Sequence, residues 1–154
     1  GRLNDRAYGE VLQARVRAQD LGECVRFVGY VEDVDALLRS GDVHCAPSVW
    51  EEPLGNVVLE AKRAGVPSVV FPTGGLPELI VEPGSDGVVC SSPTAEGLAA
   101  GIEHYLRMSV SERREVGERA FASLDRLGAT EERVRQAWGR VLDETAGRPG
   151  RPRG

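Results

Sequence analysis

Two glutamates, Glu52 and Glu60, are separated by seven residues in the segment WEEPLGNVVLEAKRAG. Between them, Gly55 precedes a helical pattern that ends near Gly65. Gly55 is well placed as the amino-terminal cap, so that the backbone amides of residues 55–57 point out of the first helical turn. These amides, with the positive end of the helix dipole behind them, favour an anion and above all a phosphate.

The helical periodicity places Glu60 at the edge of an apolar arc and Lys62 on the far side of the helix. The residues that share the arc are Val57, Val58, Ala61 and Ala64. A carboxylate at a core boundary needs partners, and hydroxyl groups can serve. If residues 52–60 were helical throughout, the two carboxylates would lie about 12 Å apart along the axis. The pattern indicates an elongated ligand with an anionic middle and hydroxyls at both ends, the shape of a nucleotide-diphosphate sugar.

Alternating apolar runs and helical patterns surround this segment. The predicted strands are Val25–Val28, Val43–Ala46, Ser68–Phe71 and Gly87–Cys90. The predicted helices before residue 90 are Asp5–Leu21 (ended by Gly22), Val34–Leu38, the helix that follows Gly55 and a short helical turn at Pro77–Ile80. Continuous apolar strands separated by helices predict a parallel sheet covered on both faces, a Rossmann-like, doubly wound α/β fold. Such folds bind their ligands at the carboxyl ends of the strands.

After Cys90 the chain is predicted to be helical. Ser92 with Pro93 begins one helix to Met108, and Ser109 with Glu112 forms a capping box for the next. Thr130 is predicted to cap the last helix, whose apolar stripe is most simply core. The stripe consists of Val134, Ala137, Trp138, Val141 and Leu142.

The composition predicts one globular domain, since 154 residues with 41% hydrophobic content can bury a sizeable core. A net charge of −5 argues against a binder of nucleic acid or of anionic membranes. The chain has no metal-ligand spacing, and its three cysteines are predicted to be buried thiols in a reducing, cytoplasmic compartment. The tail 147–154 is predicted to be disordered. The Arg-rich, Lys-poor composition indicates a GC-rich bacterial genome.

The text from Trp50 to Val70, WEEPLGNVVLEAKRAGVPSVV, followed by GGLPELI, resembles the donor-site signature of retaining glycosyltransferases of family 4 (group 1), which have the GT-B fold. The similarity runs from about Tyr8 to about Leu142. It implies that residues 1–146 are a carboxyl-terminal donor-binding domain, truncated at its amino-terminal edge. The missing part would hold the acceptor and two cations for the diphosphate, so the fragment alone is expected to be inactive. Lys62 and Arg63 are not expected to replace these cations, and both are predicted to lie on a solvent-exposed face of the helix. In the family a comparable terminal helix packs against the other domain, which implies a surface outside this chain as the alternative neighbour of Trp138.

The resemblance implies a role for each matching residue. Glu60 would bind the ribose, and Glu52, the candidate catalytic residue, would accept hydrogen bonds from hydroxyls of the donor sugar. Leu54, Gly55, Asn56 and Val57 would offer backbone amides to the diphosphate and sugar, Gly29, Tyr30 and Val31 would contact the base, and Gly74, Gly75 and Glu78 would lie near the site. Simpler alternatives stay open: a dipole partner for Glu52, a plain cap at Gly55, and an ordinary turn at 29–31.

The implied reaction moves a sugar from a nucleotide diphosphate to an acceptor hydroxyl with retention of configuration and without a metal or other cofactor. The implied partners are the donor and an acceptor, with no nucleic acid and no membrane span, although the full enzyme could associate with the inner face of the membrane. Two alternatives remain: a binding module without chemistry, and a nucleotide-sugar epimerase of GT-B shape. A glycosidase is disfavoured because Glu60 lies too far along the helix to pair with Glu52 across one bond.

Overall fold

The computed structural model describes residues 6–146, and the chain divides into two compact units, Gly1–Leu37 and Leu38–Gly154. The helices are α1 (Arg6–Ala18), α2 (Val34–Arg39), α3 (Asn56–Arg63), α4 (Ala95–Leu106), α5 (Val110–Arg126) and α6 (Glu131–Ala146). The strands are β1 (His44–Ala46), β2 (Ser68–Val70) and β3 (Val88–Val89), and a 3-10 turn covers Pro77–Leu79. The predicted tail 147–154 lies outside the described residues.

The three strands form a parallel sheet in the order β1-β2-β3, with Cys45 opposite Val69 in the register. Side chains alternate across it. Val70 faces one buried cluster, and Val69 and Phe71 face another. The first cluster includes Ala46, Val58, Leu76, Leu79 and Ile80, and the second includes Cys90, Tyr105 and Val116. The prediction of a parallel sheet covered on both faces is therefore confirmed in the second unit.

Two predictions for the first unit are wrong. The segment Val25–Val28 is not a strand, and its side chains Val25, Phe27 and Val28 are exposed. A strand needs a neighbour to complete its backbone hydrogen bonds, and the described part of this unit contains no other strand. The helix α1 ends at Ala18 instead of the predicted Leu21. Asp20 takes the left-handed conformation (φ 53°), and the amide of Leu21 donates to the Val16 carbonyl, as in a helix terminus.

The amino-terminal caps of α5 and α6 agree with the predictions, whereas the cap of α4 does not. The Ser109–Glu112 capping box is present, and Thr130 Oγ1 accepts from the amide of Arg133 at 3.3 Å. The helix α4, however, is capped by Thr94, whose side chain accepts from the amide of Gly97, rather than beginning at Ser92. Thr94 is extended (φ −126°, ψ 165°) and directly precedes the first helical residue, which is where a cap lies.

The stripe on α6 is not core in this structure. Val134, Val141 and Leu142 are exposed, and the Trp138 side chain is 62% exposed. The periodicity that defines an apolar face does not specify which surface covers it. Cys24 is exposed as well, whereas Cys90 is buried and Cys45 half-buried, so the expectation of three buried thiols is wrong for Cys24.

Candidate functional site

Two loops meet at the carboxyl edge of the sheet, one after β1 (47–55) and one after β2 (71–76). Because β1 and β2 are parallel neighbours, both loops leave the sheet on the same side. The amide of Gly75 donates to the carbonyl of Glu52 at 2.8 Å, and the Thr73 hydroxyl donates to the carbonyl of Ser48. The second loop therefore supports the first at the candidate catalytic residue.

Gly74 and Gly75 make this contact possible because neither carries a side chain. Gly74 has a φ of +54°, and a Cβ there would lie 2.4 Å from the backbone nitrogen of Glu52. A Cβ at Gly75 would lie 2.8 Å from the carbonyl oxygen of Pro53. The two glycines thus place the backbone of Glu52, which is a half-buried residue. Whether that carboxylate contacts a donor sugar stays a prediction.

The predicted cap at Gly55 is confirmed. Gly55 lies in the left-handed region (φ 61°, ψ 48°), no side chain caps α3, and the Gly55 carbonyl accepts from the amide of Val58 at 2.9 Å. The positive φ of Gly55 favours glycine, and a Cβ there would lie 2.6 Å from the Leu76 side chain, which would have to shift. Leu54, Asn56 and Val57 are exposed around this helix start.

The structure differs from the helical pattern at both glutamates. The helix begins at Asn56, so residues 52–55 are not helical and the estimate of about 12 Å between the carboxylates does not apply. Glu60 is exposed instead of lying at a core boundary. The buried face of α3 consists of Val58, Ala61 and Lys62, an arc rotated toward Lys62 and away from Glu60. Glu60 therefore points to the open side of the helix, where a ligand could reach it.

Lys62 is fully buried, which corrects its assignment to a solvated face. Its Nζ donates to Asp86 Oδ2 at 2.8 Å and to Ser123 Oγ at 2.8 Å, with the Asp86 carbonyl at 3.4 Å. The sequence spacing indicates this burial, because Lys62 is four residues after Val58 and therefore on the same side of the helix. Arg63 is exposed, as expected.

The environment shifts both pKa values of this ion pair. Burial raises the pKa of Asp86, but hydrogen bonds from Lys62 and from the amides of Glu82 and Val81 outweigh it, so the pKa lies below its ordinary value. Burial lowers the pKa of Lys62, and the Asp86 carboxylate offsets part of that shift. The ammonium and the carboxylate thus depend on each other to stay charged inside the protein.

The predicted base-contacting loop, Gly29–Val31, lies in the first unit. Gly29 has a φ of +68°, Tyr30 is exposed and Val31 is half-buried. The other predicted site residues all belong to the second unit. Contact between this loop and a base stays a prediction.

His44, the half-buried Cys45 and the buried Cys90 pack within the fold. His44 Nδ1 lies 3.1 Å from Ser68 Oγ, and burial lowers the pKa of His44. His104 packs edge-on against Tyr105, and burial raises the pKa of Cys45 and Cys90. Within residues 6–146 no group of three or more His, Cys, Asp or Glu side chains is arranged to hold a metal ion.

The family model that describes glycosyl transferases of group 1 matches residues 5–122. The chain belongs to this family. The phosphatidyl-myo-inositol mannosyltransferase of Mycobacterium leprae (strain TN) is 34% identical over 116 residues, covering 74% of the chain and 31% of that protein. The chain thus spans about a third of the length of this relative. The family membership agrees with the resemblance found at Glu52 and Glu60.

Solved structures of similar fold agree with the family. Sucrose-phosphate synthase (tll1590) from Thermosynechococcus elongatus has a TM-score of 0.81 at 25% identity, covering 96% of this chain and 38% of that chain. Anabaena Alr3699/HepE in complex with UDP and glucose has a TM-score of 0.70 at 27% identity, covering 78% of this chain and 32% of that chain. The predicted fold class, a Rossmann-like parallel α/β fold of GT-B glycosyltransferases, is confirmed. None of the helices in the described range has both the length and the apolar character that a bilayer crossing requires.

Proposed function

We propose that this chain supplies the donor-binding domain of a glycosyltransferase that uses a nucleotide-diphosphate sugar. The observation that carries the proposal is the start of α3. This helix begins at Asn56, directly after its cap residue Gly55 and without a side-chain cap, at the carboxyl edge of a parallel sheet; Glu52 precedes it, and Glu60 lies on its exposed side. Backbone amides and the helix dipole favour the diphosphate, and the two carboxylates favour the hydroxyls on either side of it.

Each group has a distinct part in this proposal. The Glu60 carboxylate accepts hydrogen bonds from the ribose, and Glu52 accepts them from the donor sugar. The amides at residues 54–57 stabilise the negative charge that grows on the leaving diphosphate, without a metal. The bond from the anomeric carbon to the diphosphate oxygen breaks, the acceptor oxygen bonds to the same face of that carbon, and the acceptor proton passes to the diphosphate. The configuration is therefore retained.

The acceptor and the balancing cations belong, in this proposal, to a part of the enzyme outside this chain, so the chain by itself binds the donor without transferring the sugar. The enzyme works in the cytoplasm, free or at the inner face of a membrane. Uridine is the first base to test, because the HepE structure, 27% identical to this chain, contains UDP and glucose. The loop Gly29–Val31 is the proposed contact for the base.

Calorimetric titration with UDP, GDP, ADP and dTDP tests the donor site. We expect one of them to bind weakly. The Glu60→Ala variant should lose about tenfold to a hundredfold in affinity, because a hydrogen bond to a charged group contributes about 1.5–3 kcal/mol. Glu118→Ala is the matched control, since Glu118 is an exposed glutamate on a different helix. Absence of binding by every nucleotide, or equal losses in both variants, would contradict the proposal.

The stereochemistry and the metal requirement need an enzyme assay. We expect the product formed by the enzyme that contains this chain to have the anomeric configuration of its donor, as judged by proton NMR of the first turnover products. Activity should survive EDTA. An inverted product would refute retention alone, and loss of activity in EDTA that added divalent cation restores would refute metal independence alone.

A further inference from the structure

Lys62 is the only lysine in the chain, among 19 basic residues, and its side chain is fully buried. Buried lysines are rare unless they are paired, because removing an ammonium group from water is costly. The Lys62 ammonium bonds to Asp86 on the turn before β3 and to Ser123 on α5. One side chain therefore ties α3 to two other parts of the second unit.

The partners of Lys62 are themselves held in place. The Asp86 carboxylate accepts hydrogen bonds from the amides of Val81 at 3.1 Å and Glu82 at 2.9 Å. The Ser123 hydroxyl donates to the carbonyl of Ala120 at 2.7 Å. The Asp86 carboxylate and the Ser123 hydroxyl, which accept from the Lys62 ammonium, are therefore held in position by hydrogen bonds of their own.

The helix α3 needs such an anchor because it has only eight residues and no side-chain cap. A helix this short is not stable by itself, so its position depends on tertiary contacts. The other side chains buried along it are Val58 and Ala61. Apolar contacts have little directional preference, whereas the hydrogen bonds of Lys62 require one rotation of the helix about its axis.

That rotation determines where the candidate donor groups face. Lys62 follows Glu60 by two residues, which places the two side chains nearly opposite each other around the helix. Lys62 is buried and Glu60 is exposed, as this relation requires. We propose that Lys62, through Asp86 and Ser123, is a positioning residue that fixes the rotation of α3 and thereby aims Glu60 and the first-turn amides at the donor. The inference rests on the proposed function of the same site.

The double variant Lys62→Met/Asp86→Asn tests this role. It removes both buried charges together, and the single oxygen of the asparagine can still accept from the amide of Glu82, although the bond from the amide of Val81 is lost. Removing both charges together leaves no buried charge without a partner, which is the costly outcome of a single substitution, so thermal unfolding and nucleotide affinity can be measured separately. The matched control is Arg133→Met/Asp125→Asn, which neutralises a pair at 3.0 Å that joins α5 to α6 instead of α3.

The measurements are thermal unfolding by circular dichroism and calorimetric affinity for UDP, GDP, ADP or dTDP, whichever binds the wild-type protein. We expect the folded Lys62→Met/Asp86→Asn variant to bind about tenfold more weakly, the equivalent of one misplaced hydrogen bond, while the control keeps its affinity. Unchanged affinity in the folded double variant would overturn the inference, and so would an equal loss in the control.

Ser123→Ala gives a second test in case the double variant does not fold. It removes one directional contact and keeps the ion pair, and we expect a loss of about threefold in nucleotide affinity. Unchanged affinity in this variant would count against positioning by the cluster. If the wild-type protein binds no nucleotide, the proposed function fails; if it binds and every Lys62 cluster variant binds equally well, only the positioning role fails.

Discussion

The burial of side chains on the helices α3 and α6 is the opposite of what their sequences suggest. The short helix α3 carries lysine, arginine and glutamate, yet its lysine is fully buried. The longer helix α6 carries a continuous apolar stripe, yet Trp138 on that stripe is 62% exposed. The comparison shows that burial depends on the surface available to a helix, whereas periodicity shows only which of its residues share a side.

The largest expected contrast between the two helices concerns their charged residues. Lys62→Met leaves the Asp86 carboxylate buried without its cation and should reduce the free energy of unfolding by about 3–5 kcal/mol. Arg135→Met on α6 removes exposed pairs with Glu131 and Glu132 and should change it far less. Urea unfolding followed by circular dichroism measures both. Equal effects would show that Lys62 is not buried as described.

The second contrast concerns the loop after β2, which supports the loop that leads into α3. Gly74→Ala should cost about 2–4 kcal/mol, because its Cβ would meet the backbone of Glu52 and its φ is +54°. Gly84→Ala is the matched control, since Gly84 also has a positive φ (+84°) but open space around it. That variant should lose only about 1–2 kcal/mol from backbone strain.

Nucleotide affinity completes the glycine test. The Gly74→Ala variant should bind the nucleotide more weakly because it displaces Glu52, whereas Gly84→Ala should bind as the wild-type protein does. Similar losses of stability in the two variants would mean that the cost of Gly74→Ala comes from its positive φ alone, and that the close approach of the two loops adds nothing to it.

The local features of the fold could be predicted from the sequence. The parallel strands β1, β2 and β3, the cap at Gly55 and the Ser109–Glu112 capping box all follow from short-range patterns. The family itself was evident from the text around Glu52 and Glu60. Such signals depend on residues a few positions apart, which is the range over which turn and cap chemistry acts.

The features that escaped prediction depend on residues far apart in the chain. Lys62 meets Asp86 and Ser123, which lie 24 and 61 residues away. The segment Val25–Val28 has the composition of a strand but no neighbouring strand in the described part of its unit. In both cases the outcome depends on the presence of a tertiary partner, which the composition of a segment does not reveal.

The third contrast compares two valines, one on each helix. Val58 on α3 is fully buried in the cluster beneath β2, whereas Val134 on α6 is exposed. Val58→Ala should lower the free energy of unfolding by about 2 kcal/mol, through lost burial and the cavity left behind. Val134→Ala should change it by about 0.5 kcal/mol or less. A large effect at Val134 would indicate that another surface covers α6 in solution.

The smallest expected contrast is in the response to acid. The pKa of Asp86 in the folded protein lies below its ordinary value of 3.8, because hydrogen bonds from Lys62 and two amides outweigh the effect of burial. A carboxyl group of this kind contributes stability that is fully present above about pH 4 and is lost as the pH falls through the lowered pKa. The free energy of unfolding of the wild-type protein should therefore decline below pH 4.

The same decline should be shallower in Lys62→Met/Asp86→Asn, which has no titrating group at position 86. Arg133→Met/Asp125→Asn is the control on the α6 side, and the pKa of Asp125 is also lowered, by its hydrogen bond to Arg133. That pair is exposed to solvent, which screens it, so its removal should alter the acid slope less than removal of the buried pair. Urea unfolding at pH 3, 4, 5 and 7 compares the slopes. A steeper dependence on the exposed pair would mean that the connection to α6, and not the anchor of α3, dominates the acid response of the second unit.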